Sequence, residues 1–197
     1  YLYAMNVASA LLETGQANHA CVVGAEVISN VLDWEDRSTC VLFGDGAGAM
    51  VLKADPARQS CFYAAARGDS SGALETKSLP VHRPVTMDGN AVFRFATKAM
   101  SEAVDRALEK SGLTIADIDW IIPHQANIRI IDYVAKKAGI DRSKVYVNID
   151  RYGNTSSASI PIAYAEMAEN GLLKPGMKVI MAGFGAGFTW AGALIEI

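Results

Sequence analysis

His124 and Asn154 are the polar residues of this sequence best placed to do chemistry. Each sits just after a short apolar run that reads as a strand, in Pro123-His124-Gln125-Ala126-Asn127 and Gly153-Asn154-Thr155-Ser156. A third stretch, Gly183-Phe184-Gly185-Ala186-Gly187, is placed the same way. Ligand sites in open α/β sheets lie beyond the carboxyl ends of strands, so all three stretches can meet at one place. A histidine and an asparagine with no second carboxylate and no metal ligands nearby suit the stabilisation of an oxygen anion. A neutral imidazole N–H and an amide N–H both point at a developing enolate oxygen without adding a competing negative charge. Taken singly, each residue has a structural explanation, His124 as a hydrogen-bonding residue after a strand and Asn154 as the cap of a helix starting near Ser156. The positive end of that helix would add to the same field.

The glycines of 183–187 suit backbone N–H groups that approach a ligand closely, which gives a second anion site at Ala186. A nucleotide-binding loop is the rival. It fails because the segment runs into another strand, Thr189 to Ile195, where a phosphate-binding loop opens a helix.

The elements that must position these residues follow from periodicity. A helix over 1–14 stops at Gly15, and His19 to Gly24 follows as a short apolar strand of the kind buried on both faces. Thr39 to Phe43 and Ala47 to Lys53 read as strands around Gly44-Asp45-Gly46-Ala47-Gly48, a hairpin or tight crossover. The stretch 67–90 is long, polar and irregular, and reads as a functional or mobile loop. Ala91 to Lys110 carries apolar residues at three-and-four spacing and ends before Gly112, which predicts the longest helix. Then strand Trp120 to Ile122, helix Asn127 to Ala138, strand Val145 to Asn148, helix Ser156 to Glu169 and strands Lys178 to Ala182 and Thr189 to Ile195 alternate with short links. This order predicts an α/β layer sandwich with buried central strands.

The chain has 197 residues, 51% apolar and 20% charged, with 17 glycines and a net charge of -3. Its dispersed lysines and arginines offer no attraction to nucleic acid, and no apolar run approaches the roughly 20 residues that span a bilayer. These features predict a soluble protein with neither nucleic-acid nor membrane partners. Cys21, Cys40 and Cys61 show no paired spacing, so no zinc site or disulfide framework is expected, and a reducing, cytoplasmic compartment fits. His19, His82 and Lys136-Lys137 have no expected role in chemistry, and Asp45 is expected to serve its glycine turn. The helical pattern already under way at Tyr1, without a capping residue, reads as a chain that begins inside a helix.

Three motifs together, Pro123-His124-Gln125-Ala126-Asn127-Ile128-Arg129, Arg151-Tyr152-Gly153-Asn154-Thr155-Ser156-Ser157-Ala158-Ser159 and Gly183-Phe184-Gly185-Ala186-Gly187-Phe188-Thr189-Trp190, resemble the β-ketoacyl-acyl-carrier-protein synthase III family. Phe43-Gly44-Asp45-Gly46-Ala47-Gly48 is similar to it as well, and the resemblance runs over essentially the whole chain. It implies a thiolase-like fold of two similar halves, of which 1–55 is the tail of the first and 56–197 the second. A Cys-His-Asn site lies between the halves in that family, and a homodimer is the working unit.

The family's cysteine leads a helix like 1–14, which places it a few residues before Tyr1, where the helix dipole favours thiolate. None of Cys21, Cys40 and Cys61 leads a helix. By resemblance, the cysteine takes an acyl group from acyl-coenzyme A, acetyl-coenzyme A being the expected donor, and malonyl-acyl-carrier protein then enters and decarboxylates. His124 and Asn154 hold the malonyl thioester oxygen, and the backbone N–H of Ala186 helps to hold the acyl oxygen. Arg37, Asn90, Asn127 and Arg129 match positions near the coenzyme A entrance, and Phe93 and Phe184 match the inner wall of the tunnel. No cofactor is implied beyond coenzyme A thioester as substrate, and no metal. Two alternatives share these features, a relative in secondary metabolism and a non-catalytic subunit that binds acyl groups or carrier protein. The resemblance further implies that this chain alone is inactive and is ordered only with the first half present.

Overall fold

The computed structural model describes residues 1–77 and 83–197. Its elements in chain order are α1 (Leu2–Glu13), β1 (Ala20–Glu26), β2 (Gly46–Leu52), β3 (Ser60–Ala66), β4 (Leu74–Lys77), β5 (Arg83–Met87), α2 (Gly89–Ser111), β6 (Trp120–Pro123), α3 (Ile128–Ala138), α4 (Ile149–Tyr152), α5 (Ser159–Glu169), β7 (Lys178–Gly185) and β8 (Thr189–Glu196). The central sheet has the order β3-β8-β7-β6, with β6 parallel to β7 and the other neighbours antiparallel. Helices α2 and α3 cover one face, and α1 and α5 cover the other. The antiparallel pair β1–β2 lies against α1 and α5.

Side chains alternate along β7 between two cores. Ile180 and Ala182 join the cluster beneath α2 and α3, whereas Val179 and Met181 join the one beneath α1 and α5. A strand buried on both faces needs apolar residues at every position, which accounts for the continuous run Val179 to Ala182. Local chemistry sets the helix ends. The Asp88 carboxylate accepts from the N–H groups of Asn90 and Ala91, both at 3.0 Å, and Gly112 closes α2 in the left-handed region. Asn127 accepts from the Arg129 N–H at 2.9 Å to start α3, and Gly139 ends it. Each side-chain cap contributes about 1 kcal/mol.

Several expectations are corrected. Residues 39–42 form turns and Phe43 makes only a single parallel bridge to Asn154, because Asp36 draws the Ser38 N–H (2.9 Å) and the Thr39 hydroxyl (2.8 Å) into local hydrogen bonds that compete with a ladder. Accordingly β2 pairs with β1, and 44–48 closes no hairpin. Val145 makes only a single parallel bridge to Ile121, since the Asn148 N–H is taken by the Gln125 side chain. Strand β3 carried no signal of its own, because Cys61 to Ala65 are all partly buried and show no alternation. Within 67–90, β4 and β5 pair as an antiparallel ladder, while His82 lies outside the described residues. The helix expected from Ser156 begins with a 3-10 turn, and α5 proper starts at Ser159. Strand β1 is buried on one face only: Cys21, Val23 and Ala25, with Val51, Ala49 and Ala47 opposite them, face outward. Asp45 serves not its own turn but Ser29, accepting from its N–H at 2.8 Å and its hydroxyl at 2.6 Å.

Helix α2 rests directly on β8 at Gly192, where an added Cβ would stand 2.3 Å from the Ala103 carbonyl oxygen. Relief requires the helix to lift off the sheet. Gly192→Ala is expected to lower stability by about 1–3 kcal/mol, whereas Gly68→Ala, with nothing within 4 Å of the new methyl, is expected to stay within about 0.5 kcal/mol of the parent. Thermal unfolding of the two variants checks this, and equal midpoints would contradict it.

Candidate active site

The parallel pairing of β6 with β7 sets Pro123 opposite Ala182. It therefore delivers the next residues, His124 and Gly183, side by side at the carboxyl edge. The His124 N–H donates to the Ala182 carbonyl at 2.7 Å, and the space above Gly183 is filled by the His124 side chain. Phe184 packs edge-on to the imidazole with 5.5 Å between ring centres. The loop carrying Asn154 is brought in from the other side by residues 42–44. The Asn154 N–H donates to the Leu42 carbonyl and the Gly44 N–H to the Asn154 carbonyl, each at 2.9 Å. Gly44 is required for this crossing, since a Cβ there would meet the Tyr152 carbonyl oxygen at 2.2 Å.

Both polar side chains are oriented by a second bond. Asn154 Oδ1 accepts from the Ser156 N–H at 2.9 Å, which turns the amide so that its NH2 group is left to donate. The bond closes a local turn and not a helix cap, correcting that expectation: the 3-10 turn starts after Thr155 and α5 after Ala158, neither with a side-chain cap bond. The His124 Nδ1 lies 2.7 Å from Ser159 Oγ, at the first residue of α5. Burial pushes the His124 pKa down from 6.5 to about 4, so the ring is neutral at pH 7. Beneath them, buried Gln125 donates to the Pro123 carbonyl (2.8 Å) and the Tyr146 carbonyl (3.2 Å) and accepts from the Asn148 N–H (3.1 Å). Asn148 in turn donates to Glu166 of α5 at 2.8 Å, and Arg151 pairs with the same carboxylate. This network ties the His124 segment to the Asn154 segment.

His124 and Asn154 line one cavity of about 600 Å³. Asn90, Phe93, Asn127, Arg129, Phe184 and Ala186 line it too, so eight of the nine residues singled out in the sequence meet there. Arg37 does not; it is exposed in the turns at 33–43 and is not among the lining residues. Arg129 lies over the Phe93 ring at 5.4 Å, and Phe93 meets Tyr133 edge-on at 6.5 Å. A second space of about 170 Å³ adjoins at His124 and is lined by Tyr1 and Leu2, the start of α1. No cysteine lines either space: Cys21 is exposed on β1, and Cys61 on β3 is held by the Ala107 carbonyl, with burial raising its thiol pKa.

Sequence reasoning missed part of the wall. Leu74, Glu75, Val85 and Met87 reach the cavity from the β4–β5 ladder, with the Glu75 carboxylate lying against Gly72. The alternation of the ladder is interrupted by a register shift between Glu75 and Lys77, which hid it. Ser159 stands out in the sequence only as part of a motif, yet it is the one side chain bonded to the imidazole among the described residues.

Two family models match the chain. Residues 1–70 match 3-oxoacyl-[acyl-carrier-protein] synthase III, and residues 108–197 match the C-terminal model of the same family. The β-ketoacyl-[acyl-carrier-protein] synthase III of Clostridium novyi is 46% identical over all of this chain and 64% of its own length. The 3-oxoacyl-[acyl-carrier-protein] synthase III structure from Aquifex aeolicus superposes with a TM-score of 0.95 at 40% identity, again over 100% of this chain and 64% of the other. The priming β-ketosynthase of the R1128 polyketide pathway gives 0.91 at 36% identity, over 100% and 62%. This chain therefore spans somewhat less than two thirds of the length of the curated relatives it matches. The layered α/β architecture is the thiolase-like fold of these structures. With fold, motifs and family models in agreement over both ends of the sequence, the chain belongs to the 3-oxoacyl-[acyl-carrier-protein] synthase III family.

Proposed function

We propose that this chain is the C-terminal part of an acyltransferase that condenses a short acyl-coenzyme A, acetyl-coenzyme A by expectation, with malonyl-acyl-carrier protein to start fatty-acid synthesis. The observation that carries the reading is the pair of donors on one cavity: a neutral imidazole, and an amide whose oxygen is already bonded to the Ser156 N–H, which leaves its NH2 group to donate. In the proposed reaction a cysteine thiolate attacks the acyl-coenzyme A carbonyl, and coenzyme A leaves as the thiol. The malonyl carboxylate then departs as carbon dioxide, and its bonding electrons pass to the thioester as an enolate. Donation from His124 and Asn154 meets that charge on the thioester oxygen. The enolate carbon attacks the acyl carbonyl, whose oxygen is held by the Ala186 N–H, and the cysteine leaves again as thiolate.

The cysteine is proposed to precede Tyr1 in the whole protein. What supports this is that the amino end of α1 shares a space with His124, and a thiolate at a helix amino end is favoured by the dipole. A first half, residues 1–55 being its tail and 56–197 the second half, is proposed to cover the outward face of β1–β2. That face is apolar throughout, with Val23 58% and Val51 72% exposed, more than a stable surface strand tolerates. The working unit is proposed to be a homodimer. Asn90, Asn127 and Arg129 are proposed to receive the coenzyme A and carrier arms at the cavity mouth, with Arg37 outside it, and Phe93 and Phe184 to border the acyl group. The similarity to the R1128 priming ketosynthase supports a second reading, the same condensation at the start of a polyketide.

In the full-length protein, His124→Ala and Asn154→Ala are each expected to slow condensation about 100- to 1,000-fold while leaving the covalent acyl-enzyme to form from acyl-coenzyme A. Intact-mass detection of the acyl-enzyme, with product assay, checks both halves, and wild-type condensation in either variant would refute the assignment. The pKa of His124 also makes a stability prediction. Between pH 6.5 and about 4 the unfolded chain binds a proton that the folded site refuses, so this contribution is complete above pH 6.5 and declines as pH falls, by at most about 1.4 kcal/mol per pH unit. Denaturant unfolding at pH 7 and pH 5 should show a smaller loss for His124→Ala than for wild type; an equal loss would show that the ring is not held neutral.

A further inference from the structure

The partner of His124 decides where its proton sits. Ser159 Oγ lies 2.7 Å from Nδ1 and is also 3.3 Å from the Gln125 backbone nitrogen. A backbone N–H only donates, so the hydroxyl oxygen accepts there. The hydroxyl's own proton then needs an acceptor, because Ser159 is 3% exposed. Helical serines usually return that proton to the carbonyl one turn back, as Ser101 does to Thr97 at 2.7 Å. Ser159 does not, and among the described residues its other hydrogen-bonding partner is His124 Nδ1 alone.

We infer that Ser159 is a positioning residue that sets the tautomer of His124, donating its hydroxyl proton to Nδ1 so that Nε2 carries the only N–H of the neutral ring. The inference rests on the reading of His124 proposed above. The opposite tautomer would leave a buried hydroxyl proton without an acceptor and would turn a bare Nε2 lone pair toward the cavity. A lone pair repels an enolate oxygen, whereas an N–H stabilises it. Ser159 thereby makes His124 a donor rather than a base, and the Gln125 N–H, by engaging one lone pair of Oγ, orients the hydroxyl for this task. No proton is transferred; the hydroxyl keeps its own in the hydrogen bond.

The test uses full-length enzyme labelled with ¹⁵N-histidine, the His124 signals being those lost in His124→Ala. Wild type is expected to show a pyridine-type shift at Nδ1 and a pyrrole-type shift at Nε2 at pH 7, and the reverse pattern would overturn the inference whatever the variants do. In Ser159→Ala, a mixture of the two tautomers is expected. Condensation should fall about fivefold to tenfold in kcat, with acyl-enzyme formation from acyl-coenzyme A unchanged, and Ser159→Thr, which keeps the hydroxyl, should recover most of the loss. An unaltered tautomer in Ser159→Ala, or equal losses in both half-reactions, would reduce Ser159 to a packing residue. If His124→Ala itself condenses normally, the reading of the site fails instead, and the two failures are distinguished.

Discussion

The site depends on the register between β6 and β7, and that register is held by burial on both faces of the central sheet. Val179 and Met181 belong to one core and Ile180 and Ala182 to the other, so sliding β7 by one residue would exchange the two sets and mismatch both. Val179, Ile180 and Met181 each contribute roughly 1.5–3 kcal/mol by burial, so a slip would forfeit several of these together. With the register fixed, His124 has no freedom to be anywhere but beside Gly183, because both follow directly from paired residues, Pro123 and Ala182. The active-site geometry is thus a by-product of core packing some residues back along the strands.

The same packing decides the electrostatics. Burial keeps the imidazole neutral, so its N–H is offered without a net charge. Asn154 reaches the same end differently: its oxygen is spent on the Ser156 N–H, and what remains is donor only. Two uncharged groups, each with its acceptor atom engaged by the protein, present hydrogens to one cavity. The oxyanion of the proposed reaction would gain from this arrangement, while no permanent charge has to be buried.

The sequence was most legible where local chemistry and burial agree. Helices α2 and α3 ended at Gly112 and Gly139, close to where those glycines placed them, and α3 began at Asn127; the Asp88 cap that starts α2 two residues before the expected Ala91 was not read. Strands β7 and β8 showed as apolar runs. The 39–43 segment misled because β-branched and apolar residues there are overruled by Asp36, whose carboxylate captures neighbouring donors. Strand β3 was invisible because its partner, β8, lies more than a hundred residues away and its own residues do not alternate. The outward face of β1 is apolar in sequence and exposed in structure, a disagreement that a covering partner would remove. His124 and Asn154 were readable as types in motifs. Ser159 was not, since only the fold reveals that a serine at the head of α5 faces an imidazole 35 residues earlier in the chain.

His124 and Asn154 are proposed to donate jointly to one thioester oxygen. A crystal structure of the full-length protein with a malonyl thioester analogue that cannot decarboxylate tests it directly. The thioester carbonyl oxygen is expected about 2.7–3.2 Å from both His124 Nε2 and Asn154 Nδ2. An oxygen bonded to neither, with the Asn154 amide turned to another partner, would contradict it.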